Sequence, residues 1–564
     1  MRGIKRVERK RQQNGAALPV AIAALVFIIV PMTGLAIDVG IIYAVRSRLQ
    51  SAVDGAALAA TRALVLGATI ASQETTAKQN AVNWFYANFP AGVWATTGTV
   101  MSTSNVTIDD TSVPNMAKIQ ITATTVVPTW FMKYLKFNST NVGVIGQASR
   151  RDVVAMMVLD RSGSMNASGA CPSLISSAKL FVGQFANNRD HIGLISFSDN
   201  IYLHSSPVQS FRSVLGYTAP DGTSGTGELD TIACAGGTST PMAMSAGYNE
   251  LYKVNLPGAY NTLLLETDGL PNTLLQNSYD SSLLTTNKTN LSNTSACTDK
   301  NGKTVAGGGF NSAAAIPSWS AGQAMGSGSY SFPGAPSGNI PAGMVHEIYS
   351  SDPSQNGGNH YLLVSFGKYW TPTDSNSPHT YLNSKGLSTT TAPGCGAWAV
   401  GGSGQSYVAP TLPTDFAYLP ATDVFGNQLN PSNHGAFQTG ITTSGGKITV
   451  NWQNYHDGAL NATDDAAYNM RTNTTIPVTV YAIGLGGNTS TGSDPPDYIL
   501  LQRVANDPNA DLYSGSSLYP ACSSEPTCTT YSSQPQGTFA FSTTKAGLSA
   551  AFGSIASQVL RLSK

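Results

Sequence analysis

Charge is scarce in this chain. Only 11% of its 564 residues are Asp, Glu, Lys or Arg, and 31 acids balance 31 bases to a net charge of zero. Globular proteins carry roughly twice that share. With no basic field, a nucleic-acid partner is not expected. Cysteine is absent before Cys171, and no Cys-x-x-Cys pair occurs, which excludes zinc ribbons and thioredoxin-like sites. There is no Gly-Lys-Ser/Thr phosphate loop, no His-Glu-x-x-His and no Gly-x-Ser-x-Gly elbow after a strand. The seven histidines are scattered, so they read as surface or structural residues, and no enzyme is expected.

Ser, Thr, Asn and Gly supply the polarity instead, as in exported proteins. The amino terminus agrees. Arg2, Lys5, Arg6, Arg9, Lys10 and Arg11 precede a run from Ala16 to Ala36 whose one polar side chain is Thr33. About 20 such residues cross a bilayer as a helix. The basic flank belongs in the cytoplasm and the remainder outside it. A cleaved signal peptide is the rival reading, but helical patterning continues to about residue 65. Pro31 is tolerated in such a helix and can kink it. The six cysteines, Cys171, Cys234, Cys297, Cys395, Cys522 and Cys528, then fit disulfides in an oxidising compartment. Cys171 with Cys234, Cys522 with Cys528 and Cys297 with Cys395 form one arrangement among several.

The chemistry concentrates at three places. Val153–Leu159 is an apolar run followed by Asp160-Arg161-Ser162-Gly163-Ser164. Residues 236–240 read Gly-Gly-Thr-Ser-Thr before a helix, and Leu263-Leu264-Leu265-Glu266 leads into Thr267-Asp268-Gly269. Buried strands at 192–198 and 478–486 and a helical pattern near 176–185 complete an alternation of strands and helices. That alternation implies an α/β fold with a mostly parallel, doubly wound sheet, whose ligand sites lie at the carboxyl ends of strands. The competing explanation, that Asp160 and Asp268 merely cap helices, leaves the ordered set of three loops unexplained.

Asp-x-Ser-x-Ser, the Thr loop and strand-Thr-Asp-Gly, in that order, resemble the von Willebrand factor A (VWA) family and its metal-ion-dependent adhesion site. The resemblance implies metal ligands at Asp160, Ser162, Ser164, Thr238 and Asp268, with Thr240 as the substitute for Thr238. An all-oxygen set suits Mg²⁺, with Mn²⁺ or Ca²⁺ as other candidates. In that family the metal keeps a position for an acidic group of a partner, so the implied role is adhesion.

A second resemblance covers the amino terminus. Gly15-Ala16, Leu35-Ala36-Ile37-Asp38-Val39-Gly40 and residues 49–60 (Leu-Gln-Ser-Ala-Val-Asp-Gly-Ala-Ala-Leu-Ala-Ala) resemble TadG-like proteins of Tad/Flp pilus assembly, as does the final helix from Leu548. Counting Ala16 as first, the fifth position is Val20 rather than the acid of prepilins. A retained anchor is therefore expected, rather than cleavage after Gly15. The implied protein sits by a single pass in the bacterial inner membrane, its bulk periplasmic or pilus-associated and its partners Tad components or a carboxylate-bearing surface ligand. It acts in metal-dependent adhesion or as a minor or tip pilus component. The alternatives are a structural assembly factor without adhesion and, more remotely, a metal-dependent hydrolase.

The expected organisation is a basic tail (1–15), a transmembrane and extended helix (16–65), a small pilin-like α+β module (66–150) and a VWA domain (151–564). The VWA domain holds an inserted, disulfide-tied subdomain at about 273–463. Strands are expected at 100–108, 118–127 and 142–148. Trp84-Phe85-Tyr86 and Trp130-Phe131 read as core aromatics, and Trp319, Tyr369, Trp370 and Trp398 argue that the insertion is folded. The parent helix is expected to return near 464–471.

Overall fold

The computed structural model describes residues 17–198, 201–234 and 237–277, strands at 323–324, 342–349, 360–366, 397–401 and 418–419, and then 421–423, 425–432, 434–449, 452–486, 496–508 and 533–563. The basic tail, the Gly15–Ala16 junction, Trp319, Tyr369, Trp370, Cys297, Cys395, Cys522 and Cys528 lie outside the described residues. The chain divides into two units, Met1–Arg150 and Arg151–Lys564.

The first unit is built on one helical rod. Helix α1 (Ala17–Ala24) passes through a π-turn (Leu25–Ile29) into α2 (Val30–Ala63). Pro31 opens α2 and has no N–H to donate, so the irregular turn falls just before it. Ala21–Ala63 holds a stretch long and apolar enough to cross a membrane. Its first half exposes Phe27, Ile28, Met32 and Val39. The second half buries Val45, Leu49, Ala52, Val53, Ala56, Ala57 and Ala60, the spacing of one helical face. The alanines admit close approach by α3 (Ile70–Asn88), which is capped by Thr69 and Ser72 and contributes Ala77, Ala81 and Phe85.

Beneath the helices lies an antiparallel sheet of β1 (Thr97–Val100), β2 (Val106–Asp109), β3 (Met116–Pro128) and β4 (Ser139–Arg151), with β3 pairing to all the others. Ala117, Ile119, Ile121, Ala123 and Val127 alternate inward along β3. The expected strand at 100–108 is two strands. A turn intervenes in which Ser102 N–H donates to Asn105 Oδ1 at 3.0 Å. A second correction concerns the aromatics. Phe85 is buried, but Trp84, Tyr86, Trp130 and Phe131 are exposed rather than core. Trp130 and Phe131 stand on the β3–β4 loop, whose backbone is held by Asp38. That carboxylate accepts N–H bonds from Trp130 (2.9 Å), Phe131 (2.9 Å) and Met132 (2.6 Å).

The second unit is the doubly wound α/β domain. Its elements are β5 (Val153–Asp160), α4 (Cys171–Gly183), β6 (His191–Phe197), β7 (Ile201–Val208), α5 (Thr240–Val254), β8 (Tyr260–Thr267), α6 (Trp452–Thr472), β9 (Thr479–Leu485), α7 (Tyr498–Ala505), β10 (Phe539–Ser542) and α8 (Leu548–Leu562). The sheet order is β7-β6-β5-β8-β9-β10, and Gln323–Ala324 adds to the free side of β7. All pairs from β6 to β10 are parallel, and β7 and Gln323–Ala324 are antiparallel. Every residue of β5 is buried. Val154, Met156 and Val158 face the core under α5, α6 and α7, and Val153, Ala155, Met157 and Leu159 face the core under α4 and α8.

The insertion begins on leaving β8. Thr273–Asn277, Ala342–Tyr349, His360–Phe366 and Ala397–Gly401 form a four-stranded antiparallel meander. The returning helix α6 starts at Trp452, well before the expected residue 464. Its first turns carry Asn454 and Asp457 buried among polar partners, which masks the apolar period that would announce a helix.

Candidate metal centre

The order of the sheet places its switch point between β5 and β8: from β5 the chain moves to β6 on one side and later to β8 on the other. In open α/β sheets this is where the carboxyl ends of strands leave a crevice for a ligand. Register brings the ends level, pairing Asp160 with Phe197 and Leu159 with Glu266. Asp160 and Asp268 therefore leave adjacent strands side by side.

Asp160 is wholly buried. Its Oδ1 accepts from Ser162 N–H at 2.7 Å, and its Oδ2 accepts from Thr267 Oγ1 at 2.6 Å. The Ser162 and Ser164 hydroxyls lie 2.8 Å apart. Both point at Asp268 Oδ1, Ser164 at 2.5 Å and Ser162 at 3.4 Å. Asp268 Oδ2 is buried and has no hydrogen-bond partner among the described residues.

Thr238 reaches this end of the sheet through its backbone. Its N–H donates to Asn272 Oδ1 at 2.6 Å, and its C=O accepts from Asn272 and Thr273 N–H at 2.9 and 3.2 Å. The neighbouring Ser239 N–H donates to the Ser198 C=O at 2.9 Å, fixing the loop to the end of β6. Ser239 Oγ and Thr240 Oγ1 are also buried with no partner among the described residues. The disulfide Cys171–Cys234 is formed. It ties the start of α4, just after the first loop, to the segment leading into the second.

Burial pushes the Asp160 carboxyl up to about 6. Burial, and then the charge of Asp160, pushes Asp268 up to about 7. Burial and the closeness of the two carboxylates make the pair resist carrying two charges. Glu266, one residue before Thr267, is also fully buried. Burial, with the charges of Asp160 and Asp268, raises its carboxyl well above the ordinary range.

Two residues with a part here escape motif reading. Thr267 holds Asp160 and also accepts Gly269 N–H at 3.3 Å, shaping the turn that presents Asp268. Asn272 holds Thr238. Beside the site, past Arg161, a cavity of about 280 Å³ is lined by Ser196, Tyr202, His204 and Thr231. His204 Nε2 lies 2.8 Å from Ser196 Oγ, and burial pushes its imidazole down to about 4, so it is neutral.

The donor set fits a hard divalent cation. Asp160, Ser162, Ser164 and Asp268 offer only oxygen at the switch point, and they include a buried carboxylate oxygen with no partner among the described residues.

Comparison with known proteins bears on both units. Residues 15–68 match the family described as Putative Flp pilus-assembly TadE/G-like, and residues 155–270 match the von Willebrand factor type A domain. The chain carries a VWA domain behind a TadE/G-like segment. No curated protein matches it. Among solved structures, similar chains include the pilus adhesin SpaC from Lactobacillus rhamnosus GG, at 12% identity and TM-score 0.28, covering 81% of this chain and 34% of SpaC. This chain thus spans about a third of that protein's length. The vWF domain of the type V pili tip protein Mfa5 from Porphyromonas gingivalis is similar at 14% identity and TM-score 0.29, with coverage of 74% and 98%. The PilB minor pilin from Streptococcus sanguinis is similar at 10% identity and TM-score 0.30, with coverage of 84% and 80%. Scores at this level carry no functional inference.

Proposed function

We propose that this TadE/G-like VWA protein is a membrane-anchored, exported component of a Tad/Flp pilus system that acts by metal-dependent adhesion, as a minor or tip component. The N-terminal helix is the single-pass anchor in the inner membrane, with its basic flank in the cytoplasm and the VWA domain outside. Asp160, Ser162, Ser164, Thr238 and Asp268 would hold Mg²⁺, or Mn²⁺ or Ca²⁺ in its place. When bound, the cation supplies a Lewis-acidic position that a partner's carboxylate can complete. The protein's own groups do the positioning. Thr267 and the Ser162 N–H fix Asp160, the two seryl hydroxyls fix Asp268, and Asn272 fixes the Thr238 loop.

The observation that carries this reading is Asp268 Oδ2, a buried carboxylate oxygen left without a partner while two hydroxyls converge on its twin. Such an atom costs stability unless a ligand satisfies it. The test is surface adhesion and piliation of cells carrying Asp160→Ala or Asp268→Ala protein. Adhesion is expected to be lost while the protein remains in the membrane fraction. Wild-type adhesion with both variants would remove the metal mechanism.

A further inference from the structure

We propose that the β3–β4 loop, Trp130–Phe137, is a second membrane contact that seats its aromatic and aliphatic side chains in the headgroup region of the bilayer crossed by the N-terminal helix. This rests on the reading of that helix as the membrane anchor.

The loop is a built structure. Thr129 N–H donates to the Asn138 C=O at 3.1 Å and Thr129 Oγ1 donates to the Phe137 C=O, closing its base. Inside it, Tyr134 N–H donates to Phe131 C=O at 3.1 Å, and Phe137 N–H to Met132 C=O at 3.1 Å. Yet this ordered loop turns its apolar groups outward. Tyr134 is 80% exposed, Leu135 69%, Phe137 61% and Trp130 53%. A contiguous exposed apolar cluster marks a contact surface.

The helix fixes where that surface lies. Asp38 takes the N–H groups of Trp130, Phe131 and Met132. One turn earlier, the Phe131 ring lies over Gly34, where an added Cβ would come within 2.5 Å of it. The apolar run from Ala16 closes at Ala36, two residues before Asp38. At ~1.5 Å per residue it matches a hydrocarbon layer ~30 Å thick, so Gly34 and Asp38 fall at the layer's edge.

The loop's apolar cluster is thus continuous with the exposed apolar face of the helix, which includes Met32, Leu35 and Val39. Its composition suits the interface. Trp and Tyr have an apolar body and a polar edge, and the exposed Lys133 and Lys136 suit anionic headgroups.

The test uses the full-length protein in vesicles of phosphatidylethanolamine and phosphatidylglycerol containing nitroxide-labelled lipid, with a coumarin amino acid placed in turn at Tyr134, Phe27 or Leu58. Leu58 is 51% exposed and lies twenty residues beyond Asp38 on α2. That is ~30 Å from the interface. Quenching is expected at Phe27 and Tyr134 and not at Leu58. Quenching at Phe27 without quenching at Tyr134 overturns the loop contact and leaves the anchor standing. No quenching at Phe27 overturns the anchor and the loop contact together.

Discussion

Asp38 in the first unit and Asp268 in the second are both buried carboxylates, and the chain treats them differently. Asp38 is saturated by three backbone N–H groups from one loop. Asp268 receives two hydroxyls on one oxygen and, among the described residues, nothing on the other. The first is a clamp, because its bonding capacity is spent on the chain itself. The second is left incomplete by the chain, as the proposed cation site requires, with burial already resisting its charge. Burial alone therefore does not mark a carboxylate as internally satisfied; the count of internal donors does.

Substitutions can break that contrast. The largest effect is expected from Asp160→Ala, which removes the acceptor shared by Ser162 N–H and Thr267. Cation binding should vanish by equilibrium dialysis, with membrane association unchanged. Asp38→Ala should do the reverse. It orphans three backbone N–H groups, at about 1–3 kcal/mol for a buried unsatisfied group. Chemical denaturation should report that loss while cation affinity holds. Equal effects of the two substitutions on cation binding would erase the distinction.

A smaller effect is expected from Thr267→Val, which keeps the shape and deletes the hydroxyl at 2.6 Å from Asp160. Residues that orient ligands typically matter by ~10–100-fold in metal affinity, and a Mg²⁺ titration would measure it. The last is a pH effect, read on stability rather than on cation affinity. Asp160 and Asp268 have folded-state values raised to about 6 and about 7. Without cation, the folded state therefore holds protons that the unfolded state has released. Their contribution is fully present below about pH 4 and is lost as pH rises toward 7. Thermal melts in chelator should show this decline in the wild type and a smaller one in Asp268→Asn. Added Mg²⁺ should offset it, because cation and proton compete for the same oxygens. A decline of equal size in the variant would remove Asp268 as its source.

Much of this was legible in the sequence, for physical reasons that can be named. The uninterrupted apolar run at 153–159 is what a strand buried on both faces requires, and strand ends in such a sheet are where polar loops gather. Asp160, Ser162, Ser164 and Asp268 lie together because parallel register levels β5 with β8. The role of Thr267 was not legible, since it depends on which side of β8 meets β5. Nor was that of Asp38, whose partners lie more than ninety residues away in sequence. Trp130 and Phe131 were misread as core because aromatic composition does not say which way a loop faces. The start of α6 was missed because its buried face there is polar.

The central claim is that Asp268 Oδ2 is reserved for a divalent cation. Calorimetric titration of Mg²⁺ into the full-length protein, beside Asp268→Asn, tests it most directly. One saturable binding event in the wild type and none in the variant is the predicted result. No binding to the wild type, or the same binding to both, would contradict it.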